Sequence, residues 1–172
     1  MRKRPSALIS IGANIGNPVD TVLRAIDRLA DLTAEPILCS SLWRTAPVDC
    51  PPGTPPFVNA AIAIVPLPGE TPESLLGKLL AIENEFGRTR PEHNAPRTLD
   101  LDLIAFGAET RRSADLTLPH PRAHTRRFVL QPLAEIVPDF VIPGRNATIA
   151  KLLADLPEGD RIERLRTVSA AR

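Results

Sequence analysis

The hydrophobic period switches between two residues and three to four along this chain, which predicts an α+β fold with helices on both faces of an antiparallel sheet. Three observations carry the prediction. Strand-like apolar runs fall at residues 7–11, 37–44, 57–65 and 97–106, and two helical stripes lie between them. The 172 residues are 43% apolar and 24% charged, the balance of one globular domain with a real core. Apolar helical stretches after the last long strand supply cover for a second face.

Each element has its local reason. Residues 7–11 form a buried strand, followed by a Gly-rich turn whose spacing matches neither a Walker loop nor GxGxxG. Pro18 then opens a helix with apolar positions Val19, Val22, Leu23, Ile26 and Leu29. Residues 37–44 alternate as one strand, and residues 45–56 make a loop stiffened by proline. The strand 57–65 sets Phe57, Asn59, Ala61 and Ala63 on one face. Asn59 is the odd member: an amide beside an aromatic ring suits either a flat heteroaromatic ligand or a backbone bond at a sheet edge.

Thr71-Pro72 opens a second helix with a stripe of Leu75, Leu76, Leu79, Leu80 and Phe86, and Glu83 falls on that stripe. An acid there is an edge residue or has an assigned partner. A loop rich in arginine and proline leads from Gly87 into the strand 97–106. That strand carries Asp100 and Asp102, which share a face while Leu99, Leu101 and Leu103 take the other. Two side-by-side carboxylates repel, and a divalent cation is the simplest remedy. A short strand follows at 116–118, then a helix through Val129, Leu130, Leu133 and Ile136, and a last helix capped by Thr148. Residues 161–168 read as a weak strand or an extended tail. The order β-α-β-β-α-β is the ferredoxin-like arrangement, and the later helices make it three layers, α-β-α. One domain spans 1–172, with a core of about 7–156 and a tail at 157–172.

Composition narrows the function. A net charge of +1 argues against blanket binding of nucleic-acid phosphates, and 3% aromatic content argues against an RNA module that stacks bases. Cys39 and Cys50 are too few for a disulfide framework and fit a reducing cytoplasm. No apolar run is long enough for a membrane span. A two-metal nuclease built on the Asp pair, or a module that only binds ATP, are the competing classes.

Several stretches match one family. They are SIGANIGN (10–17), RTAP (44–47), FVNAA (57–61), IE (82–83) with GRTR (87–90), PRTLDLDLI (96–104), LPHPR (118–122), RRFVL (126–130) and PLAEI (132–136). In this combination and order the chain resembles the 6-hydroxymethyl-7,8-dihydropterin pyrophosphokinases of folate biosynthesis. The resemblance implies transfer of the β,γ-diphosphate of ATP to the pterin hydroxymethyl group, releasing AMP. Asp100 and Asp102 would ligate two Mg2+ ions and, with Arg88 and Arg97, form the catalytic set. Thr45, Ala46, Pro47, Val48, Phe57, Asn59 and Phe128 would hold the pterin, the two rings stacking on it. Glu83, Arg88, Arg90, Arg97, Leu103, His120 and Arg126 would hold ATP. A cytoplasmic monomer acting on small molecules, with no nucleic acid or membrane partner, completes the expectation. Pro121 stands where some relatives have tyrosine, and no tryptophan lies between Arg90 and Arg97.

Overall fold

The computed structural model describes residues 6–47, 50–87, 98–159 and 161–168. Its main sheet is built from β1 (Ala7–Ala13), β2 (Leu38–Cys39), β3 (Leu42–Thr45), β4 (Phe57–Ile64), β5 (Asp100–Phe106) and a C-terminal strand, β8 (Ile162–Arg166). The strand order is β5-β1-β4-β3-β8, with β2 pairing β4 beside β3, and every pairing is antiparallel. Leaving out β8, the order of the four principal strands is that of the ferredoxin-like arrangement.

The helices α1 (Pro18–Leu29) and α2 (Pro72–Gly87) cover one face. Val22, Ala25, Ile26 and Leu29 of α1 and Leu75, Leu79 and Ile82 of α2 share a core with Ile9, Ile11, Val58, Ile62, Leu101 and Leu103. Leu80, expected on that stripe, is instead 49% exposed. It sits one position past Leu79, about 100° around the helix, which turns it to solvent. The helices α3 (Arg127–Ile136) and α4 (Ile149–Ala154) cover the other face. Val129, Leu130, Leu133 and Ile149 pack there on Leu8, Ala61, Ala63 and Ile104. Caps match the sequence signals: Asn17 Oδ1 accepts from Asp20 N at the start of α1, and Thr148 Oγ1 accepts from Lys151 N at the start of α4.

Two expectations about strands change. Residues 37–44 do not form one strand, because Ser40 and Ser41 interrupt it. Ser40 Oγ accepts from Ala61 N and donates to Ser41 O, so a side chain replaces one rung of the backbone ladder. The break also shifts the alternation: Leu42 joins the same core as Cys39, three residues earlier, where strict period two would oppose them. The tail, ambiguous from sequence, is a strand on the outer edge of β3. It covers that edge with the pairs Leu42↔Arg166, Trp43↔Arg164, Arg44↔Glu163 and Thr45↔Ile162. A small hairpin of β6 (Arg111–Arg112) and β7 (Thr117–Leu118) completes the described structure. Among the described residues no helix is long and apolar enough to cross a membrane.

Candidate active site

The short helices α3 and α4 cover only part of their face. Where they stop, β1, β4 and β5 leave a cavity of about 350 Å³ lined by Ser10, Gly12, Thr45, Ala46, Cys50, Phe57, Asn59, Asp100, Asp102, Arg122, Arg126 and Phe128. Antiparallel register explains the gathering. Gly12 of β1 lies opposite Asn59 on one side and Asp100 on the other, and Ser10 lies opposite Ala61 and Asp102. The floor is therefore a grid with an amide on its left column and two carboxylates on its right.

Asn59 is not an edge residue. It sits on a central strand at 4% exposure, and its Nδ2 donates to Thr45 Oγ1 at 2.6 Å. A Cβ on Gly12 would come within 2.8 Å of Asn59 Oδ1, so the amide can lie in this pose only beside glycine. Phe57 at the start of β4 and Phe128 in the first turn of α3 are both half-buried and face the same cavity. The Arg126 guanidinium stands 5.5 Å from the Phe128 ring centre, which fixes a cation at the cavity wall.

Asp100 and Asp102 share the cavity face as their spacing predicts, with Leu99, Leu101 and Leu103 buried behind them. Among the described residues no group of three His, Cys, Asp or Glu side chains could hold a metal ion. Two carboxylates alone suit a hard cation whose remaining ligands are phosphate oxygens and water, so the donor set fits Mg2+ brought with a nucleotide. His120 lies close enough to Asp102 to feel its charge. Burial pushes its imidazole below the ordinary range, Asp102 opposes the shift, and Arg126 and Arg122 add to it. Its Nδ1 accepts from Arg122 N at 3.2 Å, which leaves Nε2 to carry the proton of the neutral ring.

Other predicted residues stand elsewhere. Glu83 does have an assigned partner: its Oε2 accepts from Leu101 N at 2.8 Å, tying α2 to the outer edge of β5. It is not among the residues lining the cavity. Leu103 is 4% exposed with its side chain in the core, so only its main chain, on the same outer edge as Leu101 N, can meet a ligand. Pro47 is half-buried beyond Ala46 and outside the cavity lining. Val48, Arg88, Arg90 and Arg97 lie outside the described residues. Ser10, Gly12, Cys50 and Arg122 line the cavity without having been singled out from sequence. The signal for Ser10 and Gly12 was their place in period two with the small, polar face of β1. Arg122 sat in the quoted LPHPR motif.

An antiparallel sheet with one face half open, its opening lined by acids, an amide, rings and cations, defines an α+β small-molecule enzyme domain. The signature of the 7,8-dihydro-6-hydroxymethylpterin-pyrophosphokinase family matches residues 8–138, and the chain belongs to that family. It is 44% identical over 149 residues to the 2-amino-4-hydroxy-6-hydroxymethyldihydropteridine pyrophosphokinase of Synechocystis, covering 86% of this chain and 74% of the relative. The Haemophilus influenzae enzyme of the same name is 37% identical over 156 residues, covering 87% of this chain and 94% of the relative. In fold, the chain is similar to a Plasmodium falciparum HPPK-DHPS crystallised with pteroate, at a TM-score of 0.68 and 14% identity. That match covers 90% of this chain and 42% of the larger one. The chain is thus an enzyme of the pyrophosphokinase class, and membership implies ATP as the donor.

Proposed function

We propose that this chain transfers the β,γ-diphosphate of ATP to the hydroxymethyl oxygen of 6-hydroxymethyl-7,8-dihydropterin, the folate-pathway reaction for which its family is named. The observation that carries the reading is one cavity lined by Asn59, Phe57 and Phe128 on one side and by Asp100, Asp102 and Arg126 on the other. The first set suits a flat ring with hydrogen-bonding edges, and the second suits a polyphosphate.

In this reading the ring stacks between Phe57 and Phe128. Asn59 and the backbone of Thr45 to Val48 meet its edge. Asp100 and Asp102 hold two Mg2+ ions, which when bound neutralise the polyphosphate and the charge that develops on transfer. Arg126, neutral His120, Arg88, Arg90 and Arg97 hold the nucleotide, with the edge main chain of Leu103 beside it and Glu83 keeping that edge in place. The hydroxymethyl oxygen attacks the β-phosphorus and forms a new O–P bond. The bond from that phosphorus to the α,β-bridging oxygen breaks, AMP departs with the oxygen, and the hydroxyl proton passes to water. The chain contributes alignment and charge neutralisation, the terms that dominate phosphoryl transfer. A monomer working in the cytoplasm completes the proposal.

The test is incubation with ATP, Mg2+ and the hydroxymethyl-dihydropterin. Pterin-dependent AMP release, abolished in Asp102→Ala with an unchanged circular dichroism spectrum, is expected. Phosphodiester cleavage without AMP release would establish the nuclease reading instead, and unimpaired turnover by Asp102→Ala would overturn the metal assignment.

A further inference from the structure

Resting on that function, the geometry points to Ser10 as a substrate-contacting residue: we propose that its hydroxyl hydrogen-bonds the hydroxymethyl oxygen that attacks ATP. Ser10 is 5% exposed, yet it lines the cavity. Among the described residues its hydroxyl has no hydrogen-bond partner. The hydroxyl is not shut off from solvent, so on the cavity wall its partner is water, which a ligand oxygen can replace.

Its position says which ligand atom is nearest. The ring-binding amide, Asn59, belongs to β4, and the carboxylates belong to β5, with β1 between them. Adjacent strands lie about 4.8 Å apart, so the two subsites are separated by roughly 9–10 Å across β1. A bond made between a ring on one side and a phosphorus on the other must form above the middle strand. The cavity-facing residues of that strand are Gly12 and Ser10. Gly12 has no side chain to offer, and a Cβ there would strike Asn59 Oδ1. Ser10, directly opposite Asp102 and one alternate position from Gly12, brings the only side-chain polar group of β1 to that point. Its Oγ can accept from the hydroxymethyl O–H before attack, or donate to the oxygen and hold a lone pair toward the phosphorus.

The test is a cycle between side chain and ligand, read by calorimetry rather than turnover. Wild type and Ser10→Ala are titrated with 6-hydroxymethyl-7,8-dihydropterin and with its 6-methyl analogue. Both titrations contain Mg2+ and α,β-methylene ATP, whose α,β bridge cannot break. The preference of the wild type for the hydroxymethyl ligand over the methyl one is expected to fall about fivefold in Ser10→Ala, with binding of the methyl analogue unchanged. A preference that stays the same within twofold in the variant would overturn the assignment and leave Ser10 a packing residue. If the wild type bound neither pterin, the pyrophosphokinase reading would fall first, and this inference with it.

Discussion

At the scale of single residues, the two carboxylates set the energetics of the open face. Asp100 and Asp102 stand on one side of β5, so two like charges share the open face. Without metal, Asp102→Asn is expected to be about 1 kcal/mol more stable than wild type in urea melts. With MgATP added, the order should reverse, because the nucleotide stabilises only the chain with both acids. The two cysteines differ for a related reason. Burial first, and the nearby Glu135 charge second, push the Cys39 thiol up to about 11, whereas Cys50 is exposed at the cavity wall. Maleimide at pH 7.5 should therefore label Cys50 in the native protein and Cys39 only in denaturant. Hydroxymethyl-dihydropterin should slow labelling of Cys50. The pairing of Asp100 with Asp102 was legible from period two alone. The pose of Asn59 was not, since it depends on Gly12 and Thr45, which are 47 and 14 positions away in sequence.

At the scale of elements, α3 and β8 hold β3 from its face and its edge. Glu135 of α3 accepts from Ser41 N at 2.9 Å, from Ser41 Oγ and from Trp43 Nε1 at 3.1 Å. Glu135→Ala strands these donors at the break between β2 and β3 and is expected to cost about 2 kcal/mol in urea denaturation. On the other side, Ala46 N donates to Arg161 O at 3.3 Å and Arg164 lies 5.6 Å from the Trp43 ring centre. Because Thr45 and Ala46 also line the cavity, removal of residues 161–172 should lower the melting temperature and raise the KM for pterin more than that for ATP. An equal rise in both would show that β8 only stabilises the sheet. The strand was ambiguous in sequence because its weak alternation is completed by a partner edge more than a hundred residues away.

At the scale of the whole molecule, the sheet carries a full helical layer on one face and a partial one on the other, and the cavity occupies the difference. The same arrangement buries charge-sensitive groups. His120 and His124 are both harder to protonate when folded, through burial first and neighbouring positive charge among the further causes. The unfolded chain therefore binds more protons once the pH drops below about 6.5, and stability should be level above that value and decline below it. Calorimetry at pH 7.5 and 5.5 should show the drop, and His120→Asn with His124→Asn should shrink it. The sequence alone determined the element types, the order of the β-α-β-β-α-β core, the faces of β4 and β5, and the motifs of the family. These follow from local periodicity, caps and spacing, which act within a few residues. Only the tertiary structure decided that Ser40 breaks a strand, that the tail closes an edge, and that Ser10 and Gly12 separate the amide from the acids. Those outcomes depend on register between distant strands, where a one-residue shift moves every side chain to the other face.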